Sequence, residues 1–400
     1  MYLKNIFFFG FLFLCVSAVH SQISVPKFGD GMLNVVGKDS TWSVRFAPRI
    51  QVRANSSWDH DGDKFGKPEQ SFIIRRARLK FDGFAYSPKL RYKIELGLSN
   101  FDVAGASEFT GNAPRIIYDA VIMWEFYKNL ELWAGQTKLP GNRERVISSA
   151  NLQLIDRSRL NSVFNIDRDL GVQLRHKFNA SENFLIREMF AVSQGEGRNV
   201  ITGNIGGFQY TTRVELLPFG EFTKKGDYIG GDIYREKTPK LAIGATYDFN
   251  NNAVKTRSNQ GSYMRNDIGF YETNISTIFV DAMFKYNGFS LMGEYSYRDA
   301  ENPLVTNSDG SITKQEVYIG QGLNFQGGYV FKNNWEISGR FTTILPDNTF
   351  SSNETENQYT LGASKYIIGH KLKVQTDLSY STIAGESSTL EYRLGFDLHF

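Results

Sequence analysis

Cysteine is nearly absent from this chain. The one residue, Cys15, lies inside an apolar run at the N-terminus, so disulfides cannot hold the fold together. No Cys or His cluster with zinc-ligand spacing is present, and no phosphate-binding Gly loop. Proline is scarce, at 10 of 400 residues, while aromatics reach 14%, a balance suited to extended strands. Beyond the N-terminal run, no stretch approaches the ~20 apolar residues of a transmembrane helix. Neither sign of charge dominates. The formal net charge is +3, so any electrostatic effect on a partner must come from how charge is distributed. The mean hydropathy of −0.34 suits a water-soluble protein. It suits equally a strand protein with one face to lipid and one to water, because the two faces average to near neutral.

The N-terminus has the pattern of a secretory signal. Lys4 precedes the apolar run Ile6 to Val19, and Val19-His20-Ser21 is a plausible cleavage site that leaves Gln22 at the mature start. This divides the chain into a signal peptide over 1–21, a lead-in over 22–42 and a strand-rich body over 43–400. Export and near-balanced charge together argue against a nucleic-acid partner.

Segments of roughly ten residues with alternating polarity fill the body. They are expected near 43–54, 72–86, 90–100, 115–126, 130–138, 168–178, 183–194, 209–219, 239–249, 276–287, 288–299, 322–331, 334–344, 356–366, 371–380 and 389–400. That makes about 16, an even number, as closed antiparallel barrels of outer membranes have. Tight connections such as Ser87-Pro88-Lys89, Tyr127-Lys128-Asn129 and Asn287-Gly288 alternate with long polar ones. Neighbours joined in this way have two ends that face different surroundings. The fold class implied is all-β: a transmembrane antiparallel β-barrel of the outer membrane of a Gram-negative bacterium. One connection breaks the alternation. Gly220 to Thr238 is long but falls where a short periplasmic turn is expected.

Period-2 reading assigns the faces. Trp42, Val44, Phe46, Ile50 and Val52 share one side of the first strand, and Arg45, Arg49 and Arg53 the other. Across the first three strands the same parity turns Arg45, Arg49, Arg53, Arg76, Arg78, Lys80, Arg91 and Lys93 toward the lumen, against Asp82 and Glu95. Further along, cations such as Arg175, Lys177, Arg187 and Arg213 mix with carboxylates such as Asp169, Glu215 and Asp281. The expectation is one basic wall and a balanced remainder. Arg75 falls on the lipid face by parity, which implies either a rim position or a slip of register. Aromatics beside the tight turns, among them Phe126, Tyr127, Tyr286, Phe289, Phe331 and Trp335, suit an interfacial girdle.

The longest connection runs from Leu139 to Asp167. Its residues 145–155 have a partly helical pattern and include the apolar Val146, Ile147, Leu152, Leu154 and Ile155. Folding into the lumen would bury them and narrow the pore, with Arg143, Arg145, Arg157, Arg159 and Arg168 helping to set selectivity. An external loop covering a neighbouring subunit is the alternative. Asp59-His60-Asp61-Gly62-Asp63 has alternating carboxylates, but its spacing is not that of an EF-hand and a solvated acidic loop explains it. No metal, cofactor or catalytic residue is expected. His60, His176, His370 and His399 have no Ser and carboxylate arranged around them in the strand scheme.

Several stretches carry a resemblance. They are Phe28-Gly29-Asp30-Gly31-Met32, the run Phe72 to Gly83 containing Arg75-Arg76-Ala77-Arg78, and Leu160 to Gln173 with Arg168-Asp169-Leu170-Gly171-Val172. Gly226-Asp227-Tyr228 and Arg235 to Leu241 add to them. Across the mature chain the sequence resembles the phosphate-selective porin O and P family, in the branch common among Bacteroidota. The resemblance implies a homotrimer of 16-stranded barrels in outer-membrane lipid and lipopolysaccharide, a third external loop folded inward, and passive transport of small anions. Phosphate or polyphosphate is the solute of the founding members, whose pores carry an arginine ladder. Arg45, Arg76 and Arg78 are the ladder candidates here. An unselective porin, a non-conducting barrel and an outer-membrane enzyme remain as alternatives.

Overall fold

The computed structural model describes residues 22–400 apart from positions 25, 104, 106, 113 and 352; the expected signal peptide lies outside the described residues. Sixteen strands form a closed barrel. They are β1 (Arg49–His60), β2 (Glu69–Ala85), β3 (Ser87–Gly97), β4 (Ile117–Tyr127), β5 (Leu130–Lys138), β6 (Arg168–Ser181), β7 (Phe184–Ser193) and β8 (Gln209–Leu217). The second half comprises β9 (Lys240–Ala253), β10 (Thr273–Tyr286), β11 (Phe289–Ala300), β12 (Gly320–Val330), β13 (Trp335–Pro346), β14 (Glu356–Ile368), β15 (Leu372–Ile383) and β16 (Ser388–His399). Every neighbour is antiparallel, and β16 pairs with β1 from Ser388 opposite His60 to His399 opposite Arg49. No strand edge of the barrel is left open, which a sheet in lipid requires. Each segment expected from polarity overlaps one observed strand.

The first expected strand, 43–54, divides at Ala47 and Pro48. Ser43–Phe46 leaves the barrel and pairs with β2 only through Arg45 opposite Asp82 and Phe46 opposite Phe81. It continues a three-stranded lead-in with Leu33–Val36 and Gln22–Ser24. Proline offers no N–H to a ladder, so the break falls where pairing would otherwise continue.

Parity sorts the side chains as a barrel in lipid demands. In β10 the inward Ile275, Thr277, Phe279, Asp281, Met283 and Lys285 are buried, while outward Ile278 and Val280 are 41% and 44% exposed. Outward Ile122, Trp124, Phe325, Leu361 and Phe396 are likewise exposed. A wall that is apolar outside and polar inside reverses the usual arrangement and identifies lipid as the outer solvent. Phe126, Tyr127, Phe289, Phe331 and Trp335 are exposed at the short-turn rim.

Connections from both ends of the barrel enter the lumen. The segment between β5 and β6 folds inward, carrying α1 (Arg143–Val146) and α2 (Arg159–Phe164), with Ser158 Oγ accepting from Asn161 N at 3.2 Å to cap α2. The partly helical pattern over 145–155 is realised only at its start, where α1 ends at Val146. Beyond it only a 3-10 turn at Ser149–Asn151 follows, because the apolar residues reach different strands instead of sharing one face. Ile147 and Leu152 pack with Met283 and Met292, and Leu160, Val163 and Phe164 pack with Ile344. The wall opposite is cut back to receive them. A Cβ on Gly322 would lie 2.7 Å from Leu160, and one on Gly362 2.4 Å from Leu154.

The exceptional connection between β8 and β9 rises from the other end. Its Gly230 N donates to Asn151 O of the inward loop at 2.6 Å. Lys285 Nζ of β10 holds it through the carbonyls of Gly226, Ile229 and Gly231 at 2.8, 2.7 and 2.5 Å. The lumen is therefore filled from both ends along β9–β16. Far-wall charges of both signs, such as Asp281, Glu294, Arg298, Arg340 and Asp377, are buried beneath this filling.

Candidate functional site

A cavity of about 640 Å³ lies against β2–β8. Among the described residues thirteen Lys or Arg and six Asp or Glu line it. Filling of the far half brings this about: the charges that would have balanced the lumen now face protein. The basic lining is also wider than the three-strand wall expected, since Arg175, Lys177, Arg187 and Arg213 of β6–β8 continue it.

Arg75 corrects the parity reading. A register shift between Gln51 and Val52 pairs them with Arg76 and Ile74, leaving Arg75 as the extra residue of a β-bulge. Both guanidiniums therefore point inward. Arg75 lies 5.3 Å over the Phe101 ring and 3.5 Å from Asp156 of the inward loop.

The centre of the cavity is built on Tyr118. Three guanidiniums stack on its ring: Arg78 at 4.1 Å, Arg198 at 4.1 Å and Arg168 at 4.6 Å. Tyr118 donates its hydroxyl to Asp102 at 2.9 Å. Arg78 grips the same carboxylate from Nε and Nη2 at 2.9 and 2.7 Å, and reaches Glu95 at 3.0 Å. Lys93 and Arg168 share Asp119 at 2.7 and 3.1 Å. Arg157 donates to the carbonyls of Glu144 and Ile147 at 2.9 and 2.7 Å, and Arg145 pairs with Asp167. Lys138 Nζ binds the carbonyls of Arg145 and Ile147 at 2.7 and 3.1 Å. Positions are thus fixed by pairing and stacking, while cations outnumber carboxylates around the open space.

Of the residues expected to line the pore, Arg76, Arg78, Lys93, Arg145, Arg157 and Arg168 reach this cavity. The others lie elsewhere. Arg45 and Lys80 bind Asp82 at 2.7 and 3.2 Å, and Arg91 binds Glu131 at 2.7 Å. Arg49 is buried against Asp397 and the Ser149 carbonyl, and Arg53 pairs with Asp156. Arg143 does not face the pore. It is wholly buried against Asp281 at 2.7 Å and Glu215 at 3.3 Å, an anchor of the loop. Arg159 binds Glu356 at 2.6 Å on the far wall. Lys138 and Lys225 line the cavity without having been expected there. Lys225 lies on the rising connection, whose place in the lumen no polarity pattern marks. In the loop after β1, Asp61 Oδ1 accepts from the backbone N–H of Lys64 and Asp63 at 2.8 and 3.1 Å, bonds that hold its carboxyl below the usual range. Among the described residues no group of His, Asp or Glu is arranged to hold a metal.

A closed sixteen-strand barrel with an apolar belt, a filled half-lumen and a charged cavity defines an outer-membrane porin of a Gram-negative bacterium, a diffusion channel. The chain belongs to the phosphate-selective porin O and P family, whose model matches residues 50–391. Its fold is shared with the outer-membrane channel DcaP of Acinetobacter baumannii, at a TM-score of 0.55 and 14% identity over 91% of this chain and 99% of that one. An anion-selective porin from Comamonas acidovorans aligns at 0.54 and 12%, over 90% and 100%. The trimer form of OmpT from Vibrio cholerae aligns at 0.52 and 10%, over 89% and 99%. No curated protein matches the sequence.

Proposed function

We propose that the protein is an anion-preferring porin, passing small anionic solutes such as phosphate by facilitated diffusion without energy input or cofactor. The observation that carries this is the excess of thirteen cationic over six anionic side chains around the open passage. Guanidiniums stay charged and offer forked donors matched to phosphate and carboxylate. In a narrow lumen with little water to screen them, they raise the local concentration of anions. Several weak sites in series along β2–β8 let an anion enter and leave, as conduction requires. The protein works as a homotrimer in this reading, in contact with outer-membrane lipid and lipopolysaccharide through its apolar belt.

Planar-bilayer reversal potentials in a KCl gradient test it. Chloride preference is expected, with phosphate blocking chloride current; a cation-selective reversal potential overturns it. The pairing of Arg78 with Glu95 and Asp102, and of Lys93 with Asp119, favours the second reading, an unselective pore. A reversal potential near zero decides for that one. Chloride preference without phosphate block leaves an anion pore that does not favour phosphate.

A further inference from the structure

His176 and Glu188 are ionisable residues on the face of the barrel that meets lipid. Alternation turns their neighbours Arg175 and Arg187 into the lumen and these two outward. They stand directly opposite each other on β6 and β7, with His176 Nδ1 3.1 Å from a Glu188 carboxylate oxygen. Their side chains are 38% and 53% exposed. The wall around them is apolar. Leu174, Val172 and Leu170 continue the outward row of β6, Phe190 that of β7, and Val214 pairs with Glu188 from β8; all are exposed. An ionisable pair on such a wall marks a partner of matching polarity. Register sets its depth. His176 is opposite Leu130, the first residue of β5 after the tight turn at Lys128-Asn129. It therefore lies level with the exposed Phe126 and Tyr127 of the short-turn girdle, where phospholipid headgroups meet the barrel.

An ionised carboxylate only accepts hydrogen bonds, so the imidazole donates from Nδ1, and in the neutral ring Nε2 is left as an acceptor. Among the described residues this contact is the one side-chain hydrogen bond that either group makes. The Phe178 ring stacks on the imidazole at 5.3 Å and 23°, which fixes its plane. Two acceptors and one negative charge thus face the headgroup layer. Lys128 stands exposed on the adjoining turn. We propose that His176 and Glu188 bind the primary ammonium of a phosphatidylethanolamine headgroup, whose phosphate turns to Lys128 and whose acyl chains run over Leu174, Val172 and Phe190. The ammonium brings three N–H donors to the two acceptors. A quaternary choline has no N–H to give, and a glycerol headgroup has no cation, so the pair selects a phospholipid by donor and by charge. The site lies on the outer wall and does not depend on what the pore conducts.

The test is native mass spectrometry of the full chain released from mixed micelles that hold phosphatidylethanolamine, phosphatidylcholine and phosphatidylglycerol in equal amounts. The protein should retain phosphatidylethanolamine about tenfold over phosphatidylcholine, the scale of one charge-assisted contact. Glu188→Gln and His176→Phe should bring that ratio close to unity. Glu188→Asp, which keeps the charge, should preserve most of it. Equal retention of the two lipids by the unaltered protein overturns the proposal, and that comparison needs no variant to fold. An unchanged ratio in Glu188→Gln overturns it as well. So does an oligomer that dissociates in Glu188→Gln while the lipid ratio holds, because a second copy of the chain would then be what covers the pair.

Discussion

Arg75 and Arg76 are identical in chemistry and adjacent in sequence, and alternation should send them to opposite solvents. The bulge between Gln51 and Val52 sends both inward. An arginine on the lipid face at depth would cost several kcal/mol, whereas inside it meets Asp156 and the Phe101 ring. Parity suffices for Arg78 and Lys93, which pair in register with Gly97 and Asp82, and for Arg76, which pairs with Gln51 on the side of the bulge that stays in register with Arg78. It fails for Arg75 because a bulge is an event between two strands, and one strand read alone does not contain it. Arg76 and Arg78 together supply two of the cations closest to the Asp156 and Tyr118 centres. Replacing both with Gln should move the KCl reversal potential toward potassium, with the chloride-to-potassium ratio falling several-fold, about 1 kcal/mol of lost field for the pair. An unchanged reversal potential with normal conductance would remove them from selectivity.

Among the elements, the two lumen-filling segments decide the passage more than the strands do. Inward folding of 139–167 was legible from Ile147, Leu152, Leu154 and Ile155, which external water would not tolerate. Its irregular path was not legible, since that path follows recesses at Gly322 and Gly362, which lie far along the chain from the Leu160 and Leu154 they receive. The connection between β8 and β9 stood out by length alone. Its anchors, Lys285 on three carbonyls and Asp227 paired with Arg187, come from strands whose parity merely called them inward. The two segments touch at Gly230, where a Cβ would lie 2.3 Å from Gln153 N and 2.8 Å from Asn151 O. A side chain cannot be accommodated there without moving backbone. Gly230→Val should separate the two segments and raise single-channel conductance, with strand content by circular dichroism unchanged. Equal conductance in a folded variant would show that this contact does not limit the passage.

At the scale of the whole molecule, a chain with a net charge of +3 forms a passage with a strong local excess of one sign. The filling buries far-wall charges of both signs and leaves the β2–β8 side open. In the anion-preferring reading proposed above, selectivity comes from a field summed over many fixed charges, with few of them unpaired, and a summed field is screened by salt. The Debye length falls from about 10 Å at 0.1 M to about 3 Å at 1 M, less than the distance across most of a passage of this size. The chloride-to-potassium permeability ratio should therefore decline toward unity as mean KCl rises through that range. Half-block by phosphate should also shift upward, because each released phosphate contact is traded for chloride. Conductance per unit of bulk conductivity should fall over the same range, because at low salt the field enriches chloride in the lumen and at high salt that enrichment disappears. A permeability ratio that held constant from 0.1 to 1 M would place selectivity in direct contacts at Arg76, Arg78 and Arg168 instead of in the field of the whole lining. The summed-field account would then be wrong even if the pore preferred anions.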